Sequence, residues 1–220
     1  MIEEYEELWK VVEKELSSSS HGVSHTRRVY RLCQKLADES TDEEVLLTAA
    51  ILHDIAREEE NNDDIGITDH ALLGAEKAEN ILEKMGYDDR TIEEVKHCIV
   101  THRFRSEEEP ETKEAKILSD ADKLDAVGAV GIARMFMLAG EFKEQLYHEV
   151  PLEEYVEENV TKEGRVRDIS EHAPNLEYEL KLKQIPEKLC TEEAKNIAER
   201  RMKYMEFYFS RLKKEIDGKR

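Results

Sequence analysis

The 220-residue chain carries 52 acidic and 33 basic side chains, and its net charge of −19 argues against general binding to nucleic-acid backbones, which depends on Lys and Arg. Hydrophobic and charged residues each make up 39% of the chain, with only 9 Gly and 4 Pro, a composition that suits helices with charged outer faces and argues against a many-stranded β fold. No apolar run approaches the roughly 18 residues of a membrane span, and the acidic N-terminus is unlike a signal peptide, so we expect a cytoplasmic protein with no membrane partner.

Helical patterns begin at the N-terminus. Apolar residues at three- and four-residue spacing predict an amphipathic helix over residues 2–16, which the serine run at 17–20 ends. A second helix is predicted over about residues 24–38. A further helix is expected from about Thr68 to just before Gly86, because glycine is favoured immediately after a helix end.

Two capping boxes mark other helix starts. In Thr41–Glu44 and in Thr91–Glu94 a threonine precedes a glutamate by three residues. At this spacing the threonine side chain accepts from the backbone N–H of the glutamate, and the glutamate side chain accepts from the backbone N–H of the threonine. These patterns predict one helix that runs through His53 and another that runs through His102.

The second half of the chain has weaker patterns. Helices resume from about residue 112 into the 120s and 130s, whereas the Pro, Gly and charged residues of 140–175 predict loop with short helical pieces. His148 and His172 fall in that segment and are expected at the surface. A final helix is predicted over about residues 191–216.

The domain organisation follows from these elements. The aromatic stripe in residues 175–220 favours packing on the main bundle over a separate appendage. We therefore predict an all-α protein with a single domain over 1–220. Its core lies in about 20–140, and the loop-rich segment and C-terminal helices of 141–220 pack on that core.

The sequence AAILHDIAR carries the strongest chemical signal. His53 and Asp54 close an otherwise hydrophobic helix, and an unpaired aspartate on a buried face is costly unless a cation relieves it. Consecutive helical residues differ by about 100°, so both side chains can lean towards one ion. An imidazole nitrogen and a carboxylate oxygen suit Mn²⁺, Mg²⁺, Ni²⁺, Fe²⁺, Co²⁺ or Zn²⁺.

Two ligands rarely hold an ion, so other helices should supply more. His25 lies one helix earlier, and Asp120 directly follows an apolar run later in the chain. Taken singly, each is more simply a satisfied core histidine or an N-cap aspartate. Together with the His53–Asp54 dipeptide they favour a divalent metal site.

The order H…HD…D resembles the HD-domain superfamily of metal-dependent phosphohydrolases. The resemblance covers about residues 20–140 and extends loosely to the last helix. Four further segments are similar to small bacterial and archaeal HD hydrolases: HxxxHxxRV (His21, His25, Arg28, Val29), HALLGAEKAENIL from His70, THR at 101–103 and SDADKLDAVGAVGIAR.

This resemblance implies that the chain is an HD-domain helical bundle with a helical C-terminal extension. It implies a metal held by four ligands: His25, His53, Asp54 and Asp120. His70 and His102 fall where binuclear members place additional ligands and where mononuclear members line the phosphate pocket. Second-metal ligation, phosphate contact or proton transfer, and a structural role all stay open for this pair.

Basic residues near the motifs are candidates for binding phosphate. Some mononuclear relatives carry HDxxE, whereas Arg57 stands at that glutamate position here, followed by Glu58. Arg57 is therefore a candidate phosphate clamp, as are Arg28 and Arg134, although charged residues after helix ends are commonly just solvated. Lys123 lies close to the metal aspartate and is the favoured basic residue for catalysis.

Two other aspartates, Asp122 and Asp125, are interpreted either as groups that orient the ligand histidines or as capping and salt-bridge residues. The catalytic set expected from sequence is Asp54, His70, His102 and Lys123.

The predicted activity is hydrolysis of a phosphate ester or anhydride by water that a divalent cation activates. The resemblance implies a small phosphorylated substrate of the nucleotide class, and the missing GYP extension argues against cyclic dinucleotides. A metal- or nucleotide-binding sensor without turnover and a di-iron oxygenase stay open as alternatives. The N- and C-terminal helices either pair across a homodimer or complete the core of a single chain, and both alternatives stay open.

Overall fold

The computed structural model describes residues 5–16, 22–63, 67–103, 108–162 and 164–219. Within them the regular structure is helical apart from an isolated bridge between Val160 and Val166, which confirms the all-α prediction. The predicted helix break at 17–20 and the motif residue His21 lie outside the described residues.

Eleven α-helices occur in the described residues: α1 (Glu6–Glu15), α2 (Val23–Leu36), α3 (Glu43–Leu52), α4 (Arg57–Asn61), α5 (His70–Met85), α6 (Asp89–Thr101), α7 (Lys113–Asp125), α8 (Gly128–Phe142), α9 (Leu152–Asn159), α10 (Pro174–Leu180) and α11 (Glu192–Ile216). Short 3₁₀ helices cover Ile169–Glu171 and Leu182–Lys188. In the described parts of the chain, none of these helices combines the length and apolar composition that crossing a bilayer demands.

The chain divides into two compact units. The first comprises residues 1–125 and 189–195, and the second comprises 126–188 and 196–220. The expectation of one domain over 1–220 stays a prediction.

Helix α3 is the centre of the first unit. Its eight residues from Val45 to Leu52 are all buried, and it packs against α1, α2, α6 and α7. Since α3 has no polar face over these residues, it is stable only when other helices surround it, as they do here. Because α3 ends at Leu52, the residues that follow, His53 and Asp54, are delivered into the interior with almost no exposure.

Aspartates cap the helices where we predicted capping boxes, so those two predictions are wrong in detail. The carboxylate of Asp42 accepts from the N–H of Val45 at the start of α3, and Asp88 accepts from the N–H groups of Arg90 and Thr91 at the start of α6. Aspartate satisfies the free N–H groups of a first helical turn as well as threonine does, and its charge also interacts favourably with the helix dipole.

The limits of α5 agree closely with the sequence pattern. Asp69 caps its first turn through the N–H groups of Ala71 and Leu72, one residue after the predicted start. Gly86 ends it with a φ of 84°, in the left-handed region that glycine adopts at little cost, which confirms the predicted C-terminal glycine.

In the second unit, aromatic side chains join α8, α10 and α11. The ring of Phe136 meets that of Tyr208 edge-on at 6.0 Å, and Tyr178 stacks on Phe209 at 4.5 Å. Gly128, with a φ of 81°, separates α7 from α8, and a Cβ there would come within 2.9 Å of the Arg201 side chain. The pattern predicted from residue 112 into the 130s is therefore two helices.

His172 is buried, which contradicts the surface position that we predicted. Its Nδ1 lies 2.7 Å from the hydroxyl of Tyr155, and its Nε2 lies 3.5 Å from a carboxylate oxygen of Glu177. Because the apolar periodicity of 140–175 is weak, no signal in the sequence indicates that His172 lies in a buried, hydrogen-bonded cluster. His148 is only partly exposed, and its Nδ1 faces the carbonyl of Glu171 at 2.7 Å.

Candidate metal centre

Two histidines of the centre occupy equivalent positions at helix ends. His53 follows the last residue of α3 and His102 follows the last residue of α6, and both rings are buried. The Nδ1 of His53 lies 2.9 Å from the carbonyl of Ala50, and the Nδ1 of His102 lies 2.5 Å from the carbonyl of Ile99. Each ring therefore donates to a carbonyl that has no partner inside its helix, and this leaves its Nε2 with a lone pair.

The other two histidines enter from helix N-termini. His25, in the first turn of α2, directs Nδ1 to Oδ2 of Asp125 at 2.7 Å. His70, the first residue of α5, places Nδ1 at 2.9 Å from Oε2 of Glu60. A carboxylate can only accept a proton from Nδ1, so the hydrogen bond to Asp125 leaves Nε2 of His25 unprotonated in the neutral ring.

The first ligand group gathers around Oδ2 of Asp54. His25 Nε2 lies 3.6 Å and His53 Nε2 lies 3.7 Å from this oxygen, and the two nitrogens are 3.3 Å apart. Oδ1 of Asp122 lies 3.2 Å from His25 Nε2. The group thus offers two imidazole nitrogens and two carboxylate oxygens from α2, α7 and the end of α3.

A second ligand group gathers around Oδ1 of the same Asp54. His70 Nε2 lies 3.4 Å and His102 Nε2 lies 3.8 Å from this oxygen, and the two nitrogens are 3.4 Å apart. Asp54 is therefore shared between two groups of donor atoms.

The titration behaviour of the centre favours ligand forms. Burial lowers the pKa of His53 to about 4, so its ring is neutral near pH 7. Burial opposes ionisation of Asp54, but the guanidinium of Arg57 and the neighbouring histidines outweigh it and hold the pKa of that carboxyl well below its usual range. Burial also opposes ionisation of Asp122, but the hydrogen bond and charge interaction with His25, together with His102 and His53, outweigh it and lower the pKa of that carboxyl. Neutral imidazoles and ionised carboxylates are the forms that bind a divalent cation.

The first group fits a divalent cation on structural grounds. Oδ2 of Asp54 is buried and has no hydrogen-bond partner among the described residues, a costly state for an ionised oxygen. The facing nitrogens of His25 and His53 present lone pairs to each other, which an ion between them would satisfy. Ligands about 2.1 Å from an ion lie roughly 3.0–3.4 Å apart, close to several of these spacings.

The structure brings His25, His53 and Asp54 together but places Asp120 elsewhere. The carboxylate of Asp120 accepts from the N–H groups of Cys190 and Thr191 and from the Thr191 hydroxyl, at 2.7, 2.8 and 2.7 Å. It holds the turn before α11, and the aspartate of α7 whose carboxylate faces Nε2 of His25 is Asp122. Residues two apart on a helix point about 200° away from each other, which explains why only one of the two faces His25.

Two of the three predicted phosphate clamps contact carboxylates of the centre. Arg28 donates from Nε and Nη2 to Asp125 at 2.7 and 2.9 Å. Arg57 donates from Nε and Nη2 to Oδ1 of Asp54 at 3.2 and 2.9 Å. Arg134 belongs to α8 in the second unit, outside the unit that holds the cluster.

Lys123, predicted as catalytic, is buried with its ammonium directed at main-chain and hydroxyl oxygens. It donates to the carbonyl and hydroxyl of Ser119 and approaches the carbonyl of His102 at 3.5 Å. This position suits a structural role at the junction of α6 and α7.

The sequence patterns did not indicate one residue of the centre, Glu60. Glu60, on α4, meets His70, Nη1 of Arg57 at 2.7 Å and Nη2 of Arg103 at 3.2 Å. Burial would raise the pKa of Glu60, but the contacts with His70, Arg57 and Arg103 together outweigh it and lower this pKa to about 2. Because Asp54, Arg57 and Glu60 are spaced three residues apart, helical spacing continued past the dipeptide was the signal that could have identified Glu60.

Comparison with known proteins gives a consistent result. The HD domain family matches residues 22–127. YpgQ of Bacillus subtilis, an uncharacterized protein, is 29% identical over 206 residues, which span 91% of this chain and 87% of YpgQ. An uncharacterized protein of Clostridium beijerinckii is 31% identical over 120 residues, covering 52% of this chain and 71% of that protein.

Solved structures agree with this match. A predicted HD-superfamily hydrolase from an uncultured Thermotogales bacterium is 29% identical and superposes with a TM-score of 0.64 over 96% of this chain and 91% of that one. The crystal structure of YpgQ in complex with ADP is 27% identical, with a TM-score of 0.69 over 97% of this chain and 98% of YpgQ.

Proposed function

The chain belongs to the HD-domain superfamily, and from that premise we propose that it is a metal-dependent phosphohydrolase acting on a phosphate ester or anhydride of a nucleotide. The observation that carries the proposal is the buried Oδ2 of Asp54, which lacks a hydrogen-bond partner among the described residues and faces the Nε2 atoms of two anchored histidines. Such an oxygen is best explained as a ligand of a cation.

Four residues hold the cation in this proposal: His25, His53, Asp54 and Asp122. A bound divalent cation supplies Lewis-acid activation of water and offsets the charge that develops on a phosphate. Asp125 orients His25, and the carbonyl of Ala50 orients His53, so the two rings present Nε2 without rearrangement. Because the two rings are already held in this orientation, they lose little conformational entropy when a cation binds, which favours binding.

His70 and His102 act beside the cation. Their Nε2 atoms, 3.4 Å apart, can share one proton, and that proton is available to the leaving oxygen of the substrate. Glu60 orients His70 from the far side of the ring. This assignment keeps the proton-transfer role that the sequence suggested for the pair and gives Lys123 no part in the chemistry.

The substrate class is supported by two considerations. YpgQ, which matches this chain almost end to end, has been crystallised with ADP. A chain with a net charge of −19 repels polyanions in general, so a small phosphorylated substrate needs local compensation, which the cation provides. We therefore propose a nucleotide rather than a nucleic acid as substrate.

The experiment combines metal analysis with a nucleotide panel. Purified protein is loaded with Mn²⁺, Mg²⁺ or Ni²⁺, its metal content is measured, and released phosphate and pyrophosphate are assayed for each nucleotide. We expect bound metal and turnover in the wild type and the loss of both in Asp54→Ala. Asp89→Ala, an exposed aspartate on α6, is the matched control and should keep both.

One alternative activity has a specific observation in its favour. The two donor groups that share Asp54 also resemble a di-iron arrangement, in which the chain would be an oxygenase. Coloured, iron-loaded protein that consumes oxygen would establish that alternative. Bound metal with nucleotide binding but no product would indicate a sensor, and metal-free, inactive protein would refute the proposed site.

A further inference from the structure

Arg57 occupies one oxygen of the shared aspartate. Its Nε and Nη2 donate to Oδ1 of Asp54 at 3.2 and 2.9 Å, while Oδ2 receives no hydrogen bond among the described residues. The two oxygens of one carboxylate are thus in opposite states, one bound by a guanidinium and the other facing His25 and His53.

The occupied oxygen is the one that a second cation would need. His70 and His102 direct Nε2 towards Oδ1 at 3.4 and 3.8 Å and complete a three-donor group with it. Judged by donor type and spacing alone, this group is suited to a divalent ion. The first group has Asp122 as a further carboxylate, whereas the second group has the arginine on its shared oxygen.

We propose that Arg57 limits the centre to one divalent ion by holding Oδ1 of Asp54 and by supplying the positive charge that a second ion would otherwise bring. The inference rests on the proposed function, since it presupposes an ion at the first group. It concerns the number of ions that the centre binds, and this number decides whether His70 and His102 are metal ligands.

The hydrogen-bond capacity of the carboxylate supports this assignment. A carboxylate oxygen has about two lone-pair directions, and the two N–H groups of Arg57 use both on Oδ1. An ion bound to Oδ1 would have to displace at least one of these hydrogen bonds. It would also lie only a few ångströms from a guanidinium that keeps its charge at every physiological pH.

The surroundings keep Arg57 in place. Its Nη1 donates to Glu60 at 2.7 Å, and Glu60 is itself contacted by His70 and Arg103. Arg57 lies three residues after Asp54 and three before Glu60, so its side chain can contact both carboxylates. The guanidinium is held at both ends and is mostly buried, with 17% of its side chain exposed.

The consequence for His70 and His102 is that they stay free of metal. Their Nε2 atoms are then available to share a proton or to contact the phosphate, which is the role proposed for them above. In a two-ion centre both nitrogens would be coordinated, and neither could donate a proton.

The test counts ions directly. Wild-type protein and Arg57→Met are loaded with Mn²⁺, freed of excess metal and analysed for manganese per chain, and the spectra of the bound ions are recorded by electron paramagnetic resonance. We expect one ion per chain in the wild type. In Arg57→Met, which keeps the aliphatic stem but removes the guanidinium, we expect two ions with the signature of a spin-coupled pair.

Two controls separate a specific effect from a general one. Arg103→Ala removes a guanidinium that contacts Glu60 and Asp69, and it should keep one ion. The double variant Arg57→Met/His70→Ala removes a donor of the second group and should return to one ion. The single variant His70→Ala should also keep one ion, because His70 is no ligand in the wild type.

The outcomes distinguish this inference from the proposed function. Two ions in the wild type would overturn the inference while leaving a metal-dependent hydrolase intact, and this result does not depend on the folding of any variant. One ion in folded Arg57→Met would overturn it as well. Protein that binds no manganese in any form would remove the proposed function and this inference together.

Discussion

Oδ2 of Asp125 lies 2.7 Å from Nδ1 of His25, so a buried carboxylate fixes the ring of a proposed metal ligand from behind. The same carboxylate accepts two hydrogen bonds from Arg28, which balances its charge in an interior position. Because residue 125 is the last of α7 and residue 25 lies in the first turn of α2, this contact also ties those two helices together.

The first prediction concerns this orienting carboxylate. Asp125→Asn should weaken Mn²⁺ binding about 10- to 100-fold, because the amide holds the His25 ring less firmly and removes negative charge behind it. Isothermal titration or competition with a chelator measures the affinity. The exposed Asp89→Asn serves as control, and an unchanged affinity in folded Asp125→Asn would show that the ring needs no carboxylate.

The second prediction separates two aspartates on one helix. Asp122→Asn should lower the affinity for Mn²⁺ by at least about tenfold and leave the chain folded, since it removes a charged ligand from a partly exposed position. Asp120→Asn should keep the metal affinity but lower the free energy of unfolding by about 1–3 kcal/mol, because the amide cannot satisfy all three donors at residues 190 and 191.

Metal titration and urea unfolding of both variants decide between them. The opposite pattern, with metal lost in Asp120→Asn and kept in Asp122→Asn, would restore the ligand set that the sequence suggested.

The comparison of these two aspartates shows how far the sequence could lead. His53 and Asp54 could be predicted as a site because a helix with no polar face ended in them, and that signal is local. The hydrogen-bond donors of Asp120 lie in a turn that begins 70 residues later in the chain, and no spacing in the sequence predicts this contact. Residues that act through local spacing were therefore accessible, and those that act through distant contacts were not.

The same distinction applies to the fold. Helix existence follows from apolar periodicity, which the all-α prediction used, and Gly86 was found because its conformation restricts the residue type. At the start of α3 the capping residue was missed because Asp42 competes with the adjacent Thr41 for the same N–H groups, and sequence alone does not decide that competition. The buried position of His172 depends on Tyr155 and was equally hidden.

The third prediction concerns Lys123. Lys123→Met should lower the free energy of unfolding by about 1–2 kcal/mol, because it leaves the oxygens of Ser119 without their buried donor. Its kcat/KM, corrected for the folded fraction, should change by less than about threefold, since the ammonium has no place in the proposed chemistry. A loss of more than about 100-fold with metal content intact would return Lys123 to the catalytic role expected from sequence.

The last prediction is a pH dependence of the free energy of unfolding that arises in the second unit and involves none of the proposed metal ligands. Burial would raise the pKa of Glu177, but Lys181, 2.9 Å away, and His172 outweigh it and lower the pKa from 4.5 to about 2. The folded state therefore binds fewer protons than the unfolded state between these values. Stability from Glu177 is fully present above about pH 4.5 and is lost as the pH falls towards 2.

Glu177→Gln removes that dependence. Urea unfolding of wild type and variant at pH 6, 5, 4 and 3 should show the stability difference shrinking on acidification by about 1–3 kcal/mol in all, a range that allows for partial solvent screening. Glu179→Gln, which breaks the contact between the end of α10 and Lys183 in the 3₁₀ helix that follows, should give a much flatter difference. If the difference between wild type and Glu177→Gln stayed constant over this range, the carboxyl of Glu177 would have an ordinary pKa, and its contacts with His172 and Lys181 would contribute packing rather than charge stabilisation.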